Sequence, residues 1–391
     1  PEALREAYLR EVGAFLARLF GVEAEVEATR ARVLAHEPVF HFRKHFVKKR
    51  LFKKGAGEGF AGDAAAVAAA AWEAVAVRTE DEERFVAVAT ARLLELHETA
   101  RKVARAGGAS WTDALRARLD ALRAALEGGS EDDEALTGRA LAAVEAHLVA
   151  RARTPGDAAR HWPSLHPVVR QDFGALVPLR ARGLDHVGDV ARRGRAEPFA
   201  LTDAREGERE LAAQIDACLY CHDRGKDSCR RGLRDKQGEV QQNPLGIELA
   251  GCPLDEKIGE AQALRRAGDV IGALVAVTLD NPLCPGTGHR ICNDCMKSCV
   301  FQKQEPVNVP RVETAILDDV LTLPWGFEIW SLLTRFHPLS LRRPVPRENT
   351  GRKALVVGLG PAGYTLAHYL VNEGFGVVAV DGLKIEPLPE A

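Results

Sequence analysis

Four short stretches decide how this chain is read: CLYCHDRGKDSC (218–229), GCPLD (251–255), NPLCPG (281–286) and ICNDCMKSC (291–299). Together they hold all 8 cysteines of a 391-residue chain. Disulfides staple small secreted folds, so a large chain that crowds every thiol into one fifth of its length points instead to metal ligation. Eight thiols are what two four-cysteine sites require. Soft thiolates match an iron–sulfide core, and Cys218-x2-Cys221 and Cys292-x2-Cys295-x3-Cys299 let single turns present several ligands. Cys229 and the two Cys-Pro pairs, Cys252-Pro253 and Cys284-Pro285, fit the same reading, because proline fixes φ and ends a helix at the ligand. Structural zinc also uses CxxC pairs, but usually about 15 to 20 residues apart. Here the two pairs stand more than 70 positions apart and each is followed by further cysteines, which favours clusters over zinc.

A second stretch, KALVVGLGPAGYTLAHYLVNEGFGVVAVD (353–381), changes the character of the chain. An apolar strand runs into Gly358-x-Gly360-Pro361-Ala362-Gly363, a helix follows, and a second strand ends on an acid, Asp381. That is the context a dinucleotide fingerprint demands. Gly358 permits the tight turn, Gly360 lets the backbone approach a pyrophosphate at the helix N-terminus, and Gly363 allows close helix–strand packing. Asp381 is placed to accept hydrogen bonds from a ribose. One βαβ unit does not make a doubly wound domain. Met296 is the single methionine and the chain opens on Pro1, so the sequence is expected to be part of a longer chain or to be completed by another one.

Residues 1–210 read as helix almost throughout, rich in Ala, Leu, Arg and Glu. Leu115, Leu119, Leu122 and Leu126 mark one helical face, with a capping signal at Ser110 and Asp113 and a stop at Gly128-Gly129. Prolines at 155, 163, 167, 178 and 198 break the later part into shorter pieces. Within this region HFRKHFVKKRLFKK (41–54) carries seven Lys/Arg, two His and no acid. It reads either as a docking patch for an acidic partner or phosphate backbone, or as a solvated helix with Phe42, Phe46 and Phe52 as anchors. The second is favoured because the apolar residues form no clean stripe.

The architecture expected is therefore mainly α: a helical bundle of unknown role (1–210), an α-helical ferredoxin-like domain with two clusters (211–320), a linker (321–350) that opens on a loop and short helix with Pro324, Trp325, Phe327 and Trp330 before the prolines at 338, 344 and 346, and the first βαβ of a Rossmann-type domain (351–391). Lys+Arg 53 against Asp+Glu 55 gives a net charge of -2, so nucleic acid is not an expected partner. No apolar run approaches the roughly 20 residues of a membrane span. The start lacks signal-peptide order, and a cytoplasmic location is expected.

In the order cysteine segment then fingerprint, residues 211–391 resemble the iron–sulfur flavoprotein family that includes the glutamate synthase small (β) subunit and the N-terminal part of dihydropyrimidine dehydrogenase. The resemblance rests on Cys218-x2-Cys221, Gly251-Cys252-Pro253, Asn281-Pro282, Arg290-Ile291-Cys292, Cys295, Cys299, Pro306-Val307-Asn308-Val309 and the Gly358 turn. It implies two [4Fe-4S] clusters. Cys218, Cys221, Cys229 and Cys299 would hold one. Cys252, Cys292 and Cys295 would hold the other, with Glu313 at the position of its fourth ligand. Cys284 is additional to the pattern and competes with Glu313, and the seven-residue gap between Cys221 and Cys229 is longer than the family's usual one. The resemblance further implies FAD at the fingerprint, NAD(P)H as electron donor at a site elsewhere, and a redox partner protein or subunit in a larger complex. His222 and His289 would tune cluster potentials through hydrogen bonds or would simply be packed or exposed. A reading of another class is a non-enzymatic assembly subunit whose cysteines form structural metal clamps.

Overall fold

The computed structural model describes residues 2–105, 110–176, 179–188, 206–288, 291–341 and 345–382. It is mainly helical, with four short strands among the described residues. The chain divides into two units, Ala35–Val168 and Pro1–Leu34 with Val169–Ala391. The sequence boundary at 210 does not coincide with that division.

The unit Ala35–Val168 is a helical bundle built on Ala64–Val75, Glu82–Arg105, Asp113–Ala125 and Asp133–Arg153. Its helices begin where short polar side chains satisfy the free N–H groups of the first turn. Asp63 accepts from the amides of Ala65 and Ala66, and Asp132 from that of Ala135. The cap expected at Ser110 is instead Thr112, whose hydroxyl accepts from the Leu115 amide. The predicted leucine face is real: Leu119 and Leu122 are fully buried and Leu126 nearly so. The helix stop differs in detail. The Gly128 amide returns to the Arg123 carbonyl and the Glu127 amide to that of Ala124, as in a Schellman turn. The left-handed residue of that turn is Glu127, with φ 49°, and not a glycine.

In the other unit the helix Val270–Asp280 is apolar all round and buried from Val270 to Thr278, as a helix enclosed by others must be. Ile258–Arg266, Val309–Leu321 and Gly326–Arg335 pack about it. So do the first two helices, Glu2–Phe20 and Glu23–Leu34. They are tied there by Arg5 to Glu260, Arg10 to Asp269 at 2.6 Å and Arg32 to Asp319 at 2.9 Å. Glu2–Phe20 crosses the central helix at paired glycines: a Cβ on Gly13 would lie 2.6 Å from the Gly272 nitrogen. Residues 2–34 thus pack with the cysteine segment, although their composition matches the helices that follow them.

One further stretch differs from expectation. Leu179–Arg182 and Asp185–Gly188 form an antiparallel hairpin inside the region read as helix. The short helix expected around Trp325, Phe327 and Trp330 is Gly326–Arg335, packed inward through Ile329 and Leu333, which are 0% and 1% exposed. Pro178, Pro198 and His289 lie outside the described residues. At the C-terminal end Lys353–Val357 and Gly376–Val380 pair in parallel, Lys353 opposite Gly376 through to Val357 opposite Val380, with Pro361–Asn372 as the crossover helix. No helix among the described residues is long and apolar enough to cross a membrane.

Candidate functional site

The cysteine segment is mostly loop and single helical turns, so its shape comes from unusual backbone conformations. Cys218 terminates the helix Glu208–Ala217. Tyr220 then turns left-handed at φ 49°, its amide 3.3 Å from the Cys218 sulfur, and the turn Cys221–Arg224 begins. Asp227, also left-handed, precedes the turn Ser228–Arg231 that carries Cys229. The 22 residues from there to Cys252 form an excursion closed at its neck. A Cβ on Gly251 would lie 2.4 Å from the Gly232 nitrogen, and the Cys252 amide donates to the Cys229 carbonyl at 2.9 Å. Arg230, 8% exposed, clamps Asp255 with two 2.7 Å bonds. The long spacing in sequence is a short one in space.

Cys218, Cys221, Cys229 and Cys299 line one cavity, walled by apolar residues that include Phe301, Val307 and Val309. Burial pushes the Cys218 thiol up to about 11. Burial and the Asp227 carboxylate push Cys229 up further, and burial raises Cys221. Thiols so placed stay protonated unless a cation replaces the proton. An electropositive, sulfur-seeking group in this cavity would meet that need, so the residues fit an iron–sulfide core.

A second set lies alongside. Cys252, Cys292 and Cys295 are near enough to interact electrostatically, and Cys295 also feels Glu256 and Glu313. Cys252 is raised to about 11 by burial and then by Glu256. Cys229 and Cys295, one from each set, are themselves electrostatic neighbours. The fourth corner of the second set offers three groups. Glu313 is partly buried, and its Oε1 accepts from the Asn281 side-chain amide at 2.8 Å. Cys284, 4% exposed, interacts with both Glu313 and Glu256. Glu256, 7% exposed, is pushed up to about 7 by burial, against a hydrogen bond from Asn281. Sequence reasoning missed Glu256 and Asn281 as site residues. The only available signal was an acid four positions after Cys252.

His222 lies against the first set, 2% exposed. Its Nε2 stands 3.2 Å from Glu6 of the first helix and 3.3 Å from Asp223. These three groups bring possible ligand atoms within 4.8 Å of one another, a geometry that hydrogen bonds from the imidazole to the carboxylates already explain. Glu6 was invisible from the sequence because it is 216 positions away.

The glycine turn has the geometry each glycine predicts. Gly358 has φ 92°, and its amide donates to Val380 at 2.7 Å. A Cβ on Gly363 would strike the Gly358 carbonyl oxygen at 1.8 Å, whereas one on Gly360 would enter open space. Pro361 takes the first helical position and Ala362 the next. The Asp381 carboxylate accepts from the Leu359 amide across the turn and from the Gly382 amide at 2.6 Å. One residue past Gly363, the Tyr364 hydroxyl sits over Gly286 in the turn that carries Cys284. The fingerprint helix and the cysteine segment therefore touch.

Against known proteins, no family model matches and no solved structure matches. An uncharacterized protein of Rickettsia prowazekii is 57% identical over 102 residues, 26% of this chain and 14% of that protein. The glutamate synthase [NADPH] small chain of Mycobacterium tuberculosis is 31% identical over 132 residues, covering 34% of this chain and 24% of its own length. The corresponding Bacillus subtilis chain is 29% identical over 133 residues. Glutamate synthase [NADH] of Schizosaccharomyces pombe is 27% identical over 185 residues, 47% of this chain and 7% of its own. The chain spans a quarter or less of the curated relatives it matches. Over about a third of its length it is distantly related to the glutamate synthase small subunit.

Proposed function

We propose that this chain is the cluster-bearing part of an NAD(P)H-dependent iron–sulfur flavoprotein oxidoreductase. Cys218, Cys221, Cys229 and Cys299 would hold one [4Fe-4S] cluster. Cys252, Cys292 and Cys295 would hold a second, with Glu313 or Cys284 completing it. The observation that carries the reading is the crossing of ligands. Cys299 leaves its neighbours Cys292 and Cys295 to join the cavity of Cys218 and Cys221, while Cys252 joins the pair that Cys299 left. That exchange suits two interlocked sets, each with one CxxC pair, whereas a single zinc ribbon would bring both CxxC pairs onto one ion.

The clusters supply one-electron storage at nearly constant geometry. The chain's own residues do the rest. Apolar walls shield the first set in part, whereas Cys292 of the second is exposed, a difference in solvation that would set the two potentials apart. Asn281 holds Glu313 in place by its amide. Cys229 and Cys295 are close enough to act on one another electrostatically, which would make the two sets neighbours. The turn Gly358 to Gly363 would receive the FAD pyrophosphate, with Pro361 and Ala362 opening the helix beneath it and Asp381 taking the ribose. The sheet there leaves Leu355, Val357 and Val378 more than half exposed, apolar surface that further strands of such a domain would cover. Hydride transfer from NAD(P)H and the acceptor protein or subunit belong to other parts of a larger cytoplasmic complex.

Anaerobically purified protein is expected to be brown, with broad visible absorption and matching iron and acid-labile sulfide. Acid extraction of the full-length protein should release FAD. A colourless protein with stoichiometric zinc would instead establish the assembly-subunit reading, and full-length protein without flavin would refute the assignment of the Gly358 turn.

A further inference from the structure

The basic stretch 41–54 has no part in the reading above, and its structure separates its residues into two faces. A turn of π-helix, Arg43–Val47, is inserted between Glu37–Phe42 and Lys48–Arg50. Such insertions mark functional sites more often than chance. Here the inward face takes Phe42 and Phe46, both fully buried and stacked at 5.6 Å. The arginines are also engaged inward. Arg43 donates to the carbonyls of Pro163 and His166, and Arg50 pairs with Glu145 while lying over the Phe46 ring.

What remains outward is a set of lysines around one aromatic. Lys44, Lys48, Lys49, Lys53 and Lys54 are exposed, and none forms an ion pair among the described residues. Phe52, which the sequence suggested as an anchor, is 42% exposed in their midst. His41 and His45 stack at 4.3 Å on the same side. Glu98 acts on His45 from beside this group.

We infer that this face docks the chain on an anionic lipid surface. A nucleic-acid site would present arginine forks to bases and phosphates and several aromatic faces for stacking. An acidic protein partner would be met by arginine and large aromatics at a buried centre. In this segment the arginines and two of the three aromatics are turned inward. Flexible lysines around a single exposed phenylalanine suit a diffuse negative layer with hydrocarbon beneath it. The attraction is screened over a Debye length of about 8 Å at physiological salt.

The test is partition of the whole chain onto phosphatidylcholine vesicles with and without about 30% phosphatidylserine, a content chosen to give the negative surface on which such basic clusters act. Binding is expected only to the anionic vesicles and should be lost at high salt. Lys48→Gln/Lys49→Gln should lower the partition coefficient roughly 25-fold, about fivefold per charge removed. Lys236→Gln/Arg352→Gln, which removes the same charge from elsewhere, should leave it unchanged. Far-ultraviolet dichroism of each variant checks that the fold is retained. Equal binding to neutral vesicles, equal loss in both variants, or tighter binding to a DNA duplex or polyglutamate than to anionic vesicles would overturn the inference.

Discussion

Replacing Gly13 by alanine tests whether the first helix is part of the cysteine unit. In an isolated helix the change is favourable, by about 0.8 to 1 kcal/mol of helix propensity. At the crossing, the new methyl carbon would lie 2.6 Å from the Gly272 nitrogen and 3.0 Å from its Cα. Both are backbone atoms of a helix buried on every side, so no rotamer change relieves the contact. Overpacking of this kind costs about 1 to 3 kcal/mol. A contact of 2.6 Å with rigid backbone belongs in the upper part of that range, about 2 to 3 kcal/mol, so the net expectation is a loss of roughly 1 to 2 kcal/mol, or some 2 to 8 °C in a unit of this size. Gly138→Ala is the internal control, since its Cβ would come no closer than 3.6 Å to the nearest atom, on His97. That variant should gain most of the propensity term and raise the melting temperature of the other unit by a few degrees. Calorimetry with two resolved transitions, or urea unfolding followed by limited proteolysis, separates the units. A Gly13→Ala protein as stable as the parent would refute the crossing and with it the placement of residues 2–34 beside the cysteines.

Other outcomes follow from single contacts. Glu127→Gly should stabilise the Ala35–Val168 unit by about 1 kcal/mol in chemical denaturation, because it relieves a Cβ at φ 49°; a loss would show that the side chain earns its position. Arg265, fully buried, holds Asp319 at 2.9 Å while Arg32 holds its other oxygen, so Arg265→Leu should cost about 1.5 to 3 kcal/mol by removing one of two charged hydrogen-bond partners from a buried carboxylate. Arg265→Leu/Asp319→Leu should recover part of that loss in a double-mutant cycle. His337 donates from Nε2 to the Val275 carbonyl at 2.9 Å and accepts at Nδ1 from the Leu339 amide, and burial lowers its pKa. Because the unfolded ring binds protons more readily than the folded one, its contribution is complete above about pH 6.5 and is lost as pH falls from there toward the folded value. The urea midpoint should therefore drop between pH 7.5 and 5.5, and drop less in His337→Gln; an equal drop in the variant would exclude His337 as a source.

Much of the site was legible because its signals are local. Each CxxC pair acts within one turn, and the Gly358 turn needs only a strand before it and a helix after it. The helices of residues 113–153 were legible for the same reason, since a 3.6-residue apolar period and a capping side chain act within a few positions. Their exact ends were less so. Thr112 in place of Ser110, and Glu127 in place of a glycine, are choices between neighbouring polar residues that differ by little energy and are settled by packing. The hairpin 179–188 gave no signal, because four-residue strands with little alternation fall below what period reading resolves.

Residue types and spacings alone thus determined the mainly helical class, the crowding of all eight thiols into residues 218–299 and the glycine turn between strand and helix at 358–363. Tertiary structure decided which thiols stand together, that Glu256 and Asn281 join them, that Glu6 reaches His222, and that residues 2–34 pack on the central helix. It also decided which face of 41–54 meets solvent. The physical reason is range. Helix periodicity, caps and turn glycines are energies between residues a few positions apart, whereas a shared cavity or a glycine crossing exists only once segments up to some 260 positions apart have been buried against one another.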